Sequence, residues 1–274
     1  MSTTDEARHP RYEEQSQMYV KFEVRDDAAW IIIDRPGKLN ALDLDGWHGI
    51  TAALHQAAAE APGPVVLTGT GRAFCAGDDI ATFAQHTSRE RAHDFFIGGL
   101  LGTMEAIATH PYPVIAGVNG LAVGGGCELV LVSDLAVAAS SARFALPEGR
   151  IGAWPTVQVG VAAHESGRKL ANEMAFEMGW VPAADAPRFG LVNRVVPDED
   201  LKSEIERTIA RIRAASPQAQ RLTKRFLNEE LVATGLPKVR RALEALIDET
   251  LPTRDLQEGT SAFLAKRLPT FIDA

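Results

Sequence analysis

The chain has 274 residues, enough for one large core with room for an appended element, and its 46% hydrophobic and 23% charged residues are the proportions of a folded globule, which excludes a disordered or low-complexity chain. Acidic residues outnumber basic ones, 36 to 28, leaving a net charge of −8, so a sequence-independent grip on a phosphate backbone is excluded as the main activity and nucleic acid is not an expected partner. Two cysteines, Cys75 and Cys127, stand in neither metal-ligand nor disulfide spacing, which points to a reducing, cytoplasmic compartment, and no run approaches the roughly 18 apolar residues of a membrane span.

Residues 1–17 are polar with no apolar h-region and are expected to form a disordered tail rather than a signal or transit sequence. The run 28–33, AAWIII, reads as a buried strand that ends in a turn at Asp34-Arg35-Pro36-Gly37. From Asp43 the apolar positions Trp47, Ile50, Leu54, Ala57 and Ala58 recur at helical spacing until Pro62-Gly63-Pro64 stops them. A strand over 65–68 follows, then a turn with Gly69, Gly71 and Gly77, and a helix over 89–109 closed by Pro111 and Pro113. A third buried strand spans 114–118, an apolar helix begins near Gly125, and 135–139 is strand again.

This alternation predicts an α/β fold with a largely parallel sheet. From Asp198 onward strand signals vanish: Leu201, Ile205, Ile209 and Ile212 form one helical stripe, and Val239, Leu243, Leu246 and Thr250 part of another. The chain therefore divides into a core over 18–200 and a helical region over 201–274, with no flexible linker and no internal repeat.

Several familiar signatures are missing. There is no G-x-S-x-G elbow, no H-E-x-x-H and no Walker-type loop. Gly69-Thr70-Gly71 follows a strand, but Phe74 stands where a dinucleotide turn needs its third glycine. Asp43-Leu44-Asp45-Gly46 lacks the later bidentate acid of a calcium loop and reads as a helix start. The seven histidines do not cluster, so no metal is expected.

Two small-residue segments carry the chemistry: Phe74-Cys75-Ala76-Gly77-Asp78-Asp79-Ile80, and Asn119 through Leu129 with the glycines Gly124, Gly125 and Gly126. Each follows a buried strand. In the second, successive glycines leave amide N–H groups uncovered at a helix start, where unpaired donors and the helix dipole both favour negative charge. Glu128 follows in the same helix beside Leu129, Val130 and Leu131; apolar company raises a carboxyl's proton affinity toward neutrality, as a proton donor or acceptor requires. The plainer alternative for a helix glutamate is an outward or ion-paired side chain. Glu148, after Phe144-Ala145-Leu146-Pro147, is by itself a commonplace turn residue, but with Glu128 it can supply two carboxyls on either side of one water.

These residues together resemble the enoyl-CoA hydratase/isomerase (crotonase) superfamily. The match runs through Arg35-Pro36 with Asn40-Ala41-Leu42, Phe74 to Gly77 with Asp79-Ile80, Val118 to Leu129, Ser133-Asp134-Leu135, Phe144 to Glu148, and Phe189 to Asn193, and it ends at Glu258-Gly259, Ala262-Phe263 and Lys266-Arg267. The resemblance implies a spiral of β-β-α units around a CoA thioester and a C-terminal helical region that packs homotrimers, often paired into homohexamers. It implies an oxyanion hole made by the N–H groups of Asp78 and Gly125, and paired acids Glu128 and Glu148, which favour adding water to a 2-enoyl-CoA, Glu148 delivering the proton to C2 and Glu128 activating the water. It places Lys38, Leu39, Ala76, Asp79 and Ile80 against CoA, with Phe263 and Lys266 reaching it from a neighbouring subunit; Lys38 as a solvated loop residue and Phe263 as a core residue are equal alternatives. CoA is part of the substrate, and no separate cofactor is implied.

The chain departs from that pattern in two places. Where many hydratases carry glycines after the second acid, it reads Gly152-Ala153-Trp154-Pro155-Thr156-Val157, so Trp154 and Val157 are expected to narrow the acyl pocket. Asp78 replaces a residue that is usually small, and its side chain is expected to turn away from the enolate; Arg150 is expected to face solvent. Double-bond isomerisation or other enolate chemistry, and a non-catalytic CoA-binding scaffold, are the competing readings.

Overall fold

The computed structural model describes residues 19–25, 27–83, 88–165 and 167–272, and the expected tail over 1–17 lies outside them. Strand β1 (Val20–Arg25) alternates Val20, Phe22 and Val24 with Lys21, Glu23 and Arg25, and pairs antiparallel with β2 (Ala28–Ile33). Every residue of β2 is buried, which is why its signature is an unbroken apolar run rather than an alternating one.

Helix α1 (Leu44–Glu60) starts where the Asp43 carboxylate accepts the Gly46 N–H at 3.0 Å, capping an otherwise unpaired donor. Then come β3 (Val65–Gly69), β4 (Ala73–Cys75) and a single helical turn, Ile80–Phe83. Helix α2 is continuous but changes pitch: Arg89–His93, a π-helical stretch Asp94–Leu101, and Gly102–Thr109. After it follow β5 (Val114–Val118), β6 (Leu121–Val123), α3 (Gly125–Val132), β7 (Leu135–Ala139) and β8 (Arg143–Ala145). A 3-10 turn (Glu148–Ile151) leads to α4 (Thr156–Glu165), α5 (Arg168–Glu177), β9 (Val181–Pro182) and β10 (Arg194–Val196). Beyond β10 the described chain is helical: α6 (Leu201–Arg213), α7 (Pro217–Leu227), α8 (Leu231–Gly235, Leu236–Ala245 and Leu246–Thr250) and α9 (Arg254–Leu264).

The strands form two sheets, ordered β1-β2-β3-β5-β7-β10 and β4-β6-β8-β9. Pairing is parallel except at one edge of each, β1 on β2 and β9 on β8. Successive pairs β3/β4, β5/β6 and β7/β8 each send their first strand to the larger sheet and their second to the smaller, and this repeat is the expected spiral of β-β-α units. The two faces of β2 serve different cores. Ala29, Ile31 and Ile33 join the main cluster, while Ala28, Trp30 and Ile32 pack with Leu201, Ile205 and Ile209 of α6, the stripe read from the sequence.

Two side-chain amides, the buried Asn40 and the partly buried Asn119, fix the connections that carry the site. Asn119 accepts the Gly69 N–H (3.2 Å) and donates to the carbonyls of Gly71 (3.0 Å) and Ala73 (3.1 Å), tying the turn after β5 to the β3–β4 turn. Asn40 donates to the carbonyls of Thr70 (2.9 Å) and Ala73 (2.8 Å) and accepts the Arg35 N–H (2.9 Å). Buried backbone groups of irregular loops need such partners, and these side chains supply them.

Candidate active site

Beyond β4 the chain turns at Gly77, φ +80°; a Cβ there would stand 2.7 Å from the Val123 carbonyl oxygen and 2.9 Å from the Gly125 nitrogen, so only glycine lets the two connections cross. Leu42 then pairs with this segment: its N–H donates to Gly77 and its carbonyl accepts the Asp79 N–H, both at 2.8 Å. The Asp78 N–H, between them, faces the other way. Gly125 opens α3, and among the described residues neither the Asp78 nor the Gly125 N–H donates to a protein acceptor.

The three glycines before Glu128 serve three purposes. Gly124 adopts φ +55°, and a Cβ on it would lie 3.4 Å from Glu148 Oε1; one on Gly125 would lie 3.0 Å from Trp47 Cζ2; one on Gly126 would lie 2.1 Å from the Cys75 carbonyl oxygen. The glycine run thus brings α3 down onto β4 and onto the Trp47 indole, and Gly124 at its start faces the Glu148 carboxyl.

Glu128 is buried at 3% exposure, not turned outward. Its Oε1 accepts the N–H groups of Val157 (2.9 Å) and Gln158 (3.2 Å), the first turn of α4. Glu148 begins the 3-10 turn after β8, and among the described residues its Oε2 is buried without a hydrogen-bond partner. Burial raises the proton affinity of both carboxyls: for Glu128 the α4 N–H groups oppose the rise and the charge of Asp78 adds to it, and for Glu148 the charges of Glu128 and Asp78 add to it. Because the charge of Glu128 raises the proton affinity of Glu148, the two acids titrate as one system.

The Asp78 side chain corrects the sequence reading, because it does not leave the site. Its Oδ1 accepts the Trp47 indole N–H at 3.0 Å, burial pushes its carboxyl up to about 7, and its charge acts on both glutamates. Trp47 is fully buried, and the sequence marked it only as one apolar position of α1. The missed signal is chemical: a buried indole N–H needs an acceptor, and nothing in helical spacing says which.

A cavity of about 590 Å³ joins these groups: Asp78, Gly125, Glu128 and Glu148 all line it. Lys38, Leu39, Ala76, Asp79, Ile80 and Phe263 line it too, and Lys266 does not. Lys38 is largely exposed, 4.0 Å from Asp79. The Asp79 carboxylate is held by Arg35 at 2.9 Å and accepts the Ala81 N–H at 3.2 Å, so its side chain braces the loop. Ala76 N–H donates to the Leu39 carbonyl at 3.0 Å, coupling the two segments at the mouth. Phe263, from α9, reaches the cavity of its own chain.

Of the two bulky residues, Trp154 in the loop before α4 lines the cavity and donates its indole N–H to Thr250 Oγ1 at 3.1 Å, whereas Val157 in the first turn of α4 is buried in the core and contributes only its backbone N–H. Arg150 is exposed as expected, donating to the Met178 carbonyl at 3.0 Å. Among the described residues no group of three His, Cys, Asp or Glu side chains is arranged to hold a metal ion, and no helix is long and apolar enough to cross a membrane.

Residues 23–274 match the family model described as enoyl-CoA hydratase/isomerase. The chain is 34% identical over 253 residues to the probable enoyl-CoA hydratase echA8 of Mycobacterium bovis, covering 90% of this chain and 95% of that protein. It is 35% identical over 262 residues to a crotonyl-CoA hydratase of Syntrophomonas wolfei, covering 91% and 96%. Among solved structures, an enoyl-CoA hydratase from Mycobacterium avium subsp. paratuberculosis superposes with a TM-score of 0.79 at 30% identity, over 93% of this chain and 99% of that one.

Proposed function

The chain belongs to the enoyl-CoA hydratase/isomerase family, and from that premise we propose that it adds water across the double bond of a 2-enoyl-CoA thioester. The observation that carries the reading is one cavity in which two buried carboxyls with raised proton affinity, Glu128 and Glu148, meet two uncommitted backbone N–H groups. In this reading the thioester oxygen lies between the N–H groups of Asp78 and Gly125. They favour the negative charge that gathers on that oxygen as the C2–C3 double bond becomes an enolate, a contribution of about 10²- to 10³-fold per donor.

Glu128, its Oε1 held by the start of α4, takes a proton from the water whose oxygen bonds to C3. Glu148, whose Oε2 finds no partner among the described residues, gives its proton to C2. The lost and gained protons balance, so the acids exchange roles on reversal. CoA belongs to the substrate; Lys38, Leu39, Ala76 and Ile80 are proposed to contact it, with Asp79 bracing the loop from behind. The helical C-terminal region is proposed to pack copies into a homotrimer or homohexamer, which light scattering of the purified protein checks, a monomer counting against it.

The test is loss of the enoyl thioester absorbance with crotonyl-CoA and longer homologues. Turnover is expected for at least one acyl length, and Glu148→Gln should lower kcat by about 10²- to 10⁴-fold while CoA binding persists. Double-bond migration without hydration would favour isomerisation, and no affinity for CoA thioesters would reject both.

A further inference from the structure

Asp78 contributes more than a backbone N–H. Asp78 is one of four acidic residues lining one cavity, with Asp79, Glu128 and Glu148, and its carboxyl is fixed by the Trp47 indole N–H at 3.0 Å, the ring that also packs against Gly125. We propose that Asp78 is a positioning residue whose negative charge sets how firmly Glu128 and Glu148 hold their shared protons, keeping the proton donor loaded at neutral and mildly alkaline pH. The inference rests on the proposed hydratase chemistry.

The surroundings leave this charge little opposition. On the β4 side the Cys75 thiol is driven up to about 12 by burial and stays neutral, and on α3 burial likewise keeps Cys127 a thiol. On α1, Trp47 is the contact, and the nearest acid at its start, Asp43, is engaged by Tyr19 and Arg35. Asp79 is paired with Arg35. The described cations on the cavity wall are Lys38, exposed at the mouth, and Arg150, turned to the Met178 carbonyl. The opposite wall, with Phe96, Leu100, Leu246 and Phe263, is apolar. Beside such apolar walls a like charge disfavours ionisation of its neighbours, and Asp78 does so for both glutamates.

Asp78→Asn isolates the charge, because asparagine keeps the backbone N–H and can still accept from Trp47. In the pH profile of kcat/KM for enoyl-CoA hydration, the alkaline limb, where the donor loses its proton, should move about one unit to lower pH in Asp78→Asn. The acid limb, falling where Asp78 itself holds a proton, should move less. A profile that only drops in height, with both limbs in place, would reduce Asp78 to a structural role and overturn the proposal. If the wild-type protein hydrates no enoyl-CoA, the proposed function fails, and the inference is then read without turnover. In ¹³C-glutamate-labelled protein, the two carboxyl signals lost in Glu128→Gln and Glu148→Gln should titrate at lower pH in Asp78→Asn than in wild type; unchanged titration would refute it. Should Asp78→Asn not fold, the double variant Trp47→Phe with Asp78→Ala removes the charge without leaving an indole N–H unpaired and gives the same reading.

Discussion

At the residue scale, the acids of the cavity oppose the stability of the fold they serve. The carboxyls of Asp78, Glu128 and Glu148 all hold protons more tightly in the folded chain than in the unfolded one. Between the ordinary carboxylate range and these raised values the native state binds more protons, so the stability they lend is fully present in acid and lost as pH rises through neutrality. For Asp78, moving from 3.8 to about 7, the loss is at most about 4 kcal/mol. Relative to wild type, Asp78→Asn should therefore melt at higher temperature above neutral pH, with the gain disappearing near pH ~4; a variant less stable at alkaline pH would contradict this. The residues themselves marked Glu128 and the glycine-rich helix start, while Glu148 as its partner and the N–H groups of Asp78 and Gly125 were assigned only through the family resemblance. The sequence misplaced the Asp78 carboxyl because its partner, Trp47, lies 31 positions away, and no local period reports which side chain a buried indole will meet.

At the element scale, legibility follows strand length and burial. Strand β2 and the helix start at Gly125 were readable, one as a run buried on both faces and the other as a glycine cluster before an apolar stretch. Strands β4, β6 and β8 were not: each has three residues and exists only because it pairs with its counterpart in the next turn of the spiral. Of the three glycines tied to free N–H groups, Gly124 instead donates to the Ala145 carbonyl at 2.9 Å while the Gly125 N–H stays free among the described residues, and only the packing reveals that Gly126 has the least room. Gly126→Ala would push a methyl group against the Cys75 carbonyl, moving α3 off β4, whereas Gly37→Ala meets none of the described residues within 4 Å. The first should cost about 3 kcal/mol or more and abolish activity, and the second should stay within about 0.5 kcal/mol, as urea denaturation of the two variants will show.

At the scale of the whole molecule, the helical region is bolted to the spiral by a buried cation. Lys224 of α7 pairs with Asp134 at 2.7 Å and donates to the carbonyls of Ile107 (2.8 Å) and Tyr112 (3.1 Å), so Lys224→Met should destabilise the protein by about 3 kcal/mol, read as a lower urea midpoint at unchanged slope. The sequence divided core from helices near residue 200, but hydrophobic periodicity is blind to a lysine turned inward. The same region closes the cavity: Leu246, Phe263 and Leu264 line it, and Thr250 holds Trp154 by its indole N–H. Part of the cavity wall thus comes from a segment about a hundred residues downstream of the acids. Grafting that segment from a relative with different tastes should transplant its chain-length preference while leaving the proton chemistry untouched.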